Sequence, residues 1–212
     1  MRGHFITFEG VDGCGKTTQR KVTADWLRGR GMEVMETFEP GASVLGAELR
    51  RLLLNSEHKP APETELMLFL ADRAQHVHEI IQPALEGGVT VLCDRYTDST
   101  RAYQLAGRKL DADLLEEMLA VAEFGVRPDL TLWFDLPVSE ALQRMRGRTA
   151  LGEVATRMDE ECRTFHESVR TGFEAICRRE PGRIRRIDAE GIVEEVQRRV
   201  REVISEVFGE PV

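Results

Sequence analysis

Eight consecutive residues near the start of the chain have the types and the spacing that bind a chain of phosphates. Residues 10–17 read Gly-Val-Asp-Gly-Cys-Gly-Lys-Thr, which fits the pattern G-x-x-x-x-G-K-[ST] at every position. In a loop of this kind the backbone N–H groups surround the phosphates, the lysine adds a positive charge, and the hydroxyl that follows it binds Mg²⁺. The pattern therefore predicts a nucleotide-phosphate site built from Gly10, Val11, Asp12, Gly13, Cys14, Gly15, Lys16 and Thr17.

A second group of polar residues follows the third strand-like run of the chain. Residues 94–104 read Asp-Arg-Tyr-Thr-Asp-Ser-Thr-Arg-Ala-Tyr-Gln, which is unusually polar for a segment that starts at a sheet edge. Asp94 ends a buried run, where an acidic side chain can hold Mg²⁺ directly or through water, although it could instead cap a helix. Arg95 could clamp a phosphate with its planar fork or form a structural ion pair. We expect residues 94–104 to form a wall of the site, called the substrate wall below.

The elements that must position these residues alternate between strands and helices. Strand-like runs are separated by longer stretches in which apolar residues recur at helical spacing. The predicted strands are 4–8, 33–38, 89–93, 130–135 and 183–188, and the predicted helices are 15–30, 44–55, 64–87, 111–124, 138–147, 157–179 and 192–207. This order predicts right-handed crossovers and a mostly parallel sheet with helices on both faces. Ligands of such sheets bind at the carboxyl ends of the strands, where both polar segments lie.

The composition narrows the class of protein. A chain of 212 residues predicts one domain, and 29 Lys and Arg against 37 Asp and Glu argue against non-specific binding to nucleic acid. The four cysteines form no close C-x-x-C pair, so neither zinc nor a disulfide framework is expected. No run approaches ~18 consecutive apolar residues, which predicts no membrane-spanning segment and no membrane partner. We expect a cytoplasmic enzyme that acts on a small anion.

Taken together, the motifs resemble those of the thymidylate kinases, the family that converts dTMP and ATP to dTDP and ADP. The likeness is carried by residues 9–19, which read EGVDGCGKTTQ, and by the Asp-Arg-Tyr and Ala-Tyr-Gln triplets of the substrate wall. Other similar stretches are residues 39–41, 52–54, 68–76, 127–130 and 187–189. A phosphate loop alone is shared by many NTPases, whereas the two triplets together with Phe69 and Arg73 are specific to this family.

The resemblance implies a P-loop nucleoside monophosphate kinase fold, with a five-stranded parallel sheet, helices on both faces and a short lid. Residues 1–212 would form a single domain, with the lid at about residues 144–157. The implied co-substrate is ATP, with Mg²⁺ as cofactor. Family members are usually homodimers, and the apolar faces of the predicted helices 44–55 and 64–87 could serve as the interface.

The resemblance also assigns roles to residues on the phosphate side of the site. Lys16 and Thr17 would bind the ATP phosphates and Mg²⁺, while Asp12 would face the 3′-hydroxyl of dTMP. Arg95 would bridge the acceptor and donor phosphates. An acceptor phosphate is largely dianionic at pH 7, so it needs no general base, and catalysis depends on alignment and charge neutralisation.

Further implied roles concern the nucleoside part of dTMP. Phe69 would stack on thymine, and Arg73 would donate to a thymine carbonyl, since a flat base suits an aromatic face and its carbonyls suit fixed N–H donors. From the residues alone, Phe69 could equally belong to the core and Arg73 to a surface ion pair. Tyr103 would pack under the deoxyribose where a 2′-hydroxyl would clash. Ser99 and Gln104 would line the same wall.

The segment 144–157 is rich in arginine, at positions 144, 146, 148 and 157. Some thymidylate kinases place an arginine in the phosphate loop, and others supply basic residues from the lid. Positions 11–14 hold no arginine here, so the second kind is implied, with Arg148 and Arg157 as the expected catalytic contacts. Without the family, an arginine-rich stretch is usually a solvated helix face.

One position departs from the family pattern. Related sequences commonly read Arg-Glu-Pro-Gly-Gly-Thr after the second strand, whereas residues 38–43 here read Phe-Glu-Pro-Gly-Ala-Ser. Phe38 thus stands where a basic residue is usual. Arg50, on the following helix, is a remaining candidate to contact the dTMP phosphate.

Two alternatives stay open at this point. The first is another P-loop kinase, acting on dUMP or on a purine monophosphate, because the sequence does not size the pocket for the thymine methyl group. The second is a regulatory P-loop ATPase that makes no small product. A guanine-reading N-K-x-D motif is absent, since the only asparagine is Asn55.

Overall fold

Five parallel strands form the sheet that carries both polar segments. The structure is a computed structural model, and it describes residues 2–54, 59–150 and 156–209, apart from the side chain of Arg148. Within these residues the strands are β1 (Phe5–Glu9), β2 (Val34–Phe38), β3 (Thr90–Asp94), β4 (Leu130–Asp135) and β5 (Ile184–Asp188). They pair in parallel in the order β2-β3-β1-β4-β5, which confirms the predicted sheet.

Helices connect every pair of consecutive strands. They are α1 (Lys16–Arg28), α2 (Val44–Leu54), α3 (Pro62–His76), α4 (Gln82–Glu86), α5 (Thr97–Thr100), α6 (Ala112–Glu123), α7 (Val138–Ala150), α8 (Arg163–Arg179) and α9 (Val193–Phe208). A π-helical turn, Val77–Ile81, joins α3 to α4, and a second one, Arg101–Gly107, continues α5. None of the described helices is long and apolar enough to cross a lipid bilayer.

Helices cover both faces of the sheet, and every residue of β1, β3 and β4 is buried. Ile6 and Phe8 belong to a core cluster that includes side chains of α1 and α9. Phe5 belongs to a second cluster, with side chains from the first π-helical turn and α4. Because successive side chains of a strand point to opposite faces, Glu9 shares the face of Phe5 and Thr7.

The structure differs from the predicted helices at two places. Residues 97–107 are helical, although the sequence predicted only a polar wall there. The polar side chains at 97–100 are buried, so this segment lacks the alternation of apolar and polar residues that predicts a helix. The predicted helix 157–179 begins only at Arg163. Thr156 donates from both its backbone N and its hydroxyl to Asp159 Oδ2 at 2.8 Å, which favours a turn at this point.

Candidate active site

The predicted phosphate loop connects β1 to α1 at the carboxyl end of the sheet. Gly13 has a φ of 82°, in the left-handed region, and a Cβ there would lie 2.3 Å from the carbonyl oxygen of Ala141. Gly10 has a φ of 144°, and a Cβ there would lie 2.6 Å from the carbonyl oxygen of Phe134. The close packing of the loop against β4 and α7 therefore requires both glycines.

Lys16 and Thr17 begin α1 and already have partners within the site. The Lys16 ammonium donates to the carbonyl oxygens of Gly10 at 3.0 Å and Val11 at 2.9 Å. Thr17 Oγ1 donates to Asp94 Oδ2 at 2.5 Å, so the structure brings together the two residues predicted to bind Mg²⁺. A hydroxyl and a carboxylate fit this ion, because Mg²⁺ takes oxygen ligands and completes its shell with waters and substrate phosphates.

Arg95 joins the phosphate loop to the substrate wall. Its Nη2 donates to Asp12 Oδ1 at 2.6 Å and to the Tyr103 hydroxyl at 3.1 Å. Its Nη1 donates to Ser99 Oγ at 2.9 Å and to the Gly10 carbonyl at 3.3 Å. Tyr103 donates in turn to Asp12 Oδ2 at 3.1 Å, and the Arg95 guanidinium lies 5.0 Å from the centre of its ring. Two separate parts of the chain thus fix one guanidinium.

Two carboxyl groups near Arg95 have opposite pKa shifts. Burial acts to raise the pKa of Asp12, but the charges of Arg95 and Lys16 outweigh it and hold the pKa below its usual range. Burial and the charge of Asp98 raise the pKa of Glu9 to about 8. Sequence reasoning missed Glu9 as a functional residue, because a single acidic residue at a strand end gives no distinct signal.

Arg73 is a buried residue and not part of a surface ion pair. Its Nε and Nη2 donate to Glu39 Oε2 at 2.9 and 2.8 Å, and Glu39 Oε1 lies 2.9 Å from His76 Nδ1. Its Nη1 has no hydrogen-bond partner among the described residues. Because buried N–H groups are nearly always paired, this donor is available for an acceptor on a ligand.

Arg50 and Phe38 lie together beside the end of β2. Arg50 Nη1 donates to the carbonyl oxygen of Pro40 at 2.7 Å, and its guanidinium lies 5.7 Å from the centre of the Phe38 ring. Burial, and after it the charge of Arg95, lowers the pKa of Arg50. The chain therefore has an aromatic platform under one cation at the position where related sequences commonly have a second cation.

The arginines of the predicted lid do not share one environment. Arg144 lies on α7, lines the cavity described below, and donates to Glu140 at 2.6 Å. Arg146 lies on the same helix and is exposed. The side chain of Arg148, together with residues 151–155, lies outside the described part of the structure.

Arg157 is buried, and its side chain is held away from the predicted phosphate site. It donates to Glu65 Oε2 and, through Nε, to the carbonyl oxygen of Leu53, at 2.5 and 3.0 Å. Glu65 also accepts from Gln104 and from Arg108, each at 3.0 Å. This carboxylate therefore links the end of the predicted lid to α3 and to the substrate wall.

A cavity of about 770 Å³ lies above the carboxyl ends of the strands. The predicted site residues that line it are Asp12, Gly13, Cys14, Gly15, Lys16, Thr17, Arg50, Phe69, Arg73, Asp94, Arg95, Ser99, Tyr103 and Gln104. Gly10, Val11 and Arg157 do not line it, although Gly10 and Val11 hold the Lys16 ammonium.

The cavity has two ends, because β3 and β5 lie on opposite sides of β1 in the sheet. One end is formed by the substrate wall, where sequence reasoning missed Thr100. The other end includes Ala189, Gly191 and Val193, which follow β5 and were not predicted as site residues. Their only signal is their position at the carboxyl end of a parallel strand.

Comparison with known proteins gives a consistent result. The model of a family described as "Thymidylate kinase" matches residues 8–200. A thymidylate kinase from Trichormus variabilis is 44% identical over 207 residues, which cover 97% of each chain. One from Desulfovibrio desulfuricans is 48% identical over 204 residues, which cover 94% of each chain. The crystal structure of thymidylate kinase from Ehrlichia chaffeensis has a TM-score of 0.78 and 31% identity, covering 97% of this chain and 100% of that one.

Proposed function

The chain belongs to the thymidylate kinase family, and we propose that it transfers the γ-phosphoryl group of ATP to dTMP, giving dTDP and ADP. The observation that carries this proposal is Arg95, whose guanidinium contacts both the phosphate loop and the substrate wall within one cavity. A cation at this junction can neutralise charge on two phosphate chains at once.

The donor nucleotide is proposed to occupy the end of the cavity nearer β5. Lys16 would exchange its two carbonyl partners for phosphate oxygens, and Thr17 with Asp94 would hold Mg²⁺. Bound Mg²⁺ supplies positive charge that offsets the charge spreading over the transferred phosphoryl group. The small and apolar side chains of Ala189 and Val193 suit the face of a purine base.

The acceptor is proposed to lie along the substrate wall. Phe69 would stack on the base, and Arg73 would donate from its free Nη1 to a thymine carbonyl. Tyr103 and Asp12, which bond each other, would face the deoxyribose. Arg50 would contact the acceptor phosphate from the side opposite the loop, supported by the Phe38 ring.

The transfer is proposed to depend on alignment and charge and not on a general base. The acceptor phosphate has a second pKa near ~6, so at neutral pH it is already a dianion able to attack. Its repulsion by ATP is the main obstacle, and Arg95 and Lys16 counter that repulsion from opposite sides.

A coupled assay of ADP release tests the assignment directly. With ATP and Mg²⁺, turnover is measured with dTMP, with dUMP, with the ribose analogue of TMP, with dGMP and without an acceptor. We expect a clear preference for dTMP and no sustained turnover without an acceptor. Best activity with a purine, or ATP consumption independent of any acceptor, contradicts the proposed function while leaving the phosphate loop intact as an interpretation.

Arg148 and Arg157, within a single domain with a lid at about 144–157, remain the proposed lid contacts. Arg157 now bonds Glu65 and Leu53, so it reaches a phosphate only by giving up both. We therefore predict that Arg148→Ala lowers kcat by about 100-fold with little change in Tm. Arg157→Ala should lower Tm by several degrees, because Glu65 loses a buried partner worth ~1–3 kcal/mol. Kinetics with calorimetry separate the two, and the reverse pattern would contradict this division of roles.

A homodimer is proposed through the surface formed by α2, α3 and α6. α3 packs against both neighbours, and the outer side chains Val44 (90% exposed), Met67 (57%) and Val121 (73%) are apolar. Contiguous exposed apolar side chains mark interaction surfaces.

We predict that Met67→Glu shifts the protein from dimer to monomer in sedimentation velocity, because a buried unpaired charge opposes association. Thr171→Glu, at an exposed position on α8, serves as the matched control and should leave the dimer unchanged. A monomeric wild-type protein would rule the dimer out.

A further inference from the structure

Glu9 is the last residue of β1 and directly precedes the phosphate loop. Its side chain is fully buried, and both of its oxygens bond residues of the substrate wall. Oε1 accepts from the backbone N of Tyr96 at 2.7 Å, and Oε2 accepts from Ser99 Oγ at 2.5 Å. One carboxyl group thus fastens two points of the wall, both just after Arg95.

The first of these bonds holds a strained backbone. Arg95 has a φ of 71°, in the left-handed region, which costs a residue with a side chain roughly 1–2 kcal/mol. Such a conformation persists only where the surroundings fix it. The bond from the N of Tyr96 to Glu9 is made by the next residue of the chain, so it holds the turn in place.

The second bond continues to the guanidinium. Ser99 Oγ accepts from Arg95 Nη1 at 2.9 Å while it contacts Glu9. A hydroxyl can donate and accept at the same time, so Ser99 connects the two groups whichever of Glu9 and Ser99 carries the shared proton. Asp12 and Gly10 hold the other side of the same guanidinium.

We propose that Glu9 is a positioning residue for phosphoryl transfer, which orients Arg95 through Ser99 and through the backbone of Tyr96. The inference rests on the proposed role of Arg95 at the acceptor phosphate. Glu9 itself does not line the cavity, so it acts on the reaction only through the groups that it holds.

Glu9→Ala removes both bonds and should lower kcat/KM for dTMP by about 10- to 100-fold, since a misplacement of about 1 Å can cost this much. The effect should appear in kcat and in KM for dTMP, with KM for ATP within about 2-fold of wild type. Ser99→Ala breaks only the second path and should fall between the two. Glu9→Gln keeps an acceptor for Tyr96 and a polar partner for Ser99, so it should restore activity to within about 3-fold.

The decisive measurement is a double-mutant cycle with Arg95→Ala. If Glu9 acts through Arg95, Glu9→Ala should change kcat/KM by less than about 3-fold in the Arg95→Ala background, while its effect on Tm is the same in both backgrounds. Glu123→Ala deletes another buried carboxylate, at the end of α6, and should affect Tm but not the kinetics. Should Glu9→Ala fail to fold, Ser99→Ala completes the same cycle.

The outcomes separate this inference from the proposed function. Wild-type protein that turns over dTMP, with loss in Arg95→Ala and none in Glu9→Ala or Ser99→Ala, overturns the inference alone. An equal loss from Glu9→Ala in both backgrounds overturns it as well, since the residue would then act through the fold. Wild-type protein without turnover of dTMP overturns the proposed function and, with it, the inference.

Discussion

Replacing Arg95 by alanine should lower kcat/KM for dTMP by about 10³-fold, with the larger part of the loss in kcat. The guanidinium lies at the junction of the phosphate loop and the substrate wall, where it contacts Asp12 and Ser99. Charge on the transferred group grows in the transition state, so a fixed cation at this junction stabilises that state more than the bound substrates.

Arg95→Lys separates the charge from the geometry of the fork. Lysine keeps the charge but cannot donate along both branches, so we expect activity between those of wild type and Arg95→Ala. Arg163→Ala removes an exposed arginine that pairs with Glu167, and it serves as the control. Steady-state kinetics with each substrate varied in turn give the result. Near-normal turnover of Arg95→Ala would contradict the proposed mechanism.

Replacing Lys16 by methionine should lower kcat by about 10²- to 10³-fold and also weaken ATP binding. The ammonium is 5% exposed and bonds two carbonyl oxygens of its own loop. Methionine has a similar length but no charge and no donor. Its substitution therefore removes both the contact to the phosphates and the internal support of the loop.

The measurement for Lys16→Met combines kcat with ATP affinity from calorimetry. Lys59→Met changes an exposed lysine outside the cavity and should match wild type in both quantities. Unaltered dTMP affinity is expected, because Lys16 belongs to the donor side of the site. A variant with normal kcat, or with a defect confined to dTMP binding, would contradict the assignment of Lys16.

The sheet could be predicted from the sequence because each strand is a short apolar run between stretches of helical periodicity. Predicted and observed strands agree to within one residue at each end, for example 130–135 for β4. The helical segment 97–107 could not be predicted in this way. Its side chains are buried on several sides at once, so no single exposed face imprints a helical pattern.

The candidate site was predictable where a motif names the residue and unpredictable where a distant partner decides its environment. Lys16 and Arg95 belong to local motifs, and both line the cavity. Arg157 looked like a lid cation, but its partner Glu65 is 92 positions away in the chain. Glu9 is also defined by its partners, since β1 lies next to β3 only after the chain has crossed over β2.

The π-helical turn Arg101–Gly107 has a consequence for the length of the substrate wall. A π turn closes i→i+5 hydrogen bonds, so it accommodates one residue more than the same stretch of α-helix. Deleting one residue at Leu105 would let an α-helix form and would rotate everything beyond it by about 100°. Arg108, which donates to Glu65, would then face another direction although no remaining side chain had changed. In this segment an insertion or deletion is therefore a stronger mutation than most substitutions.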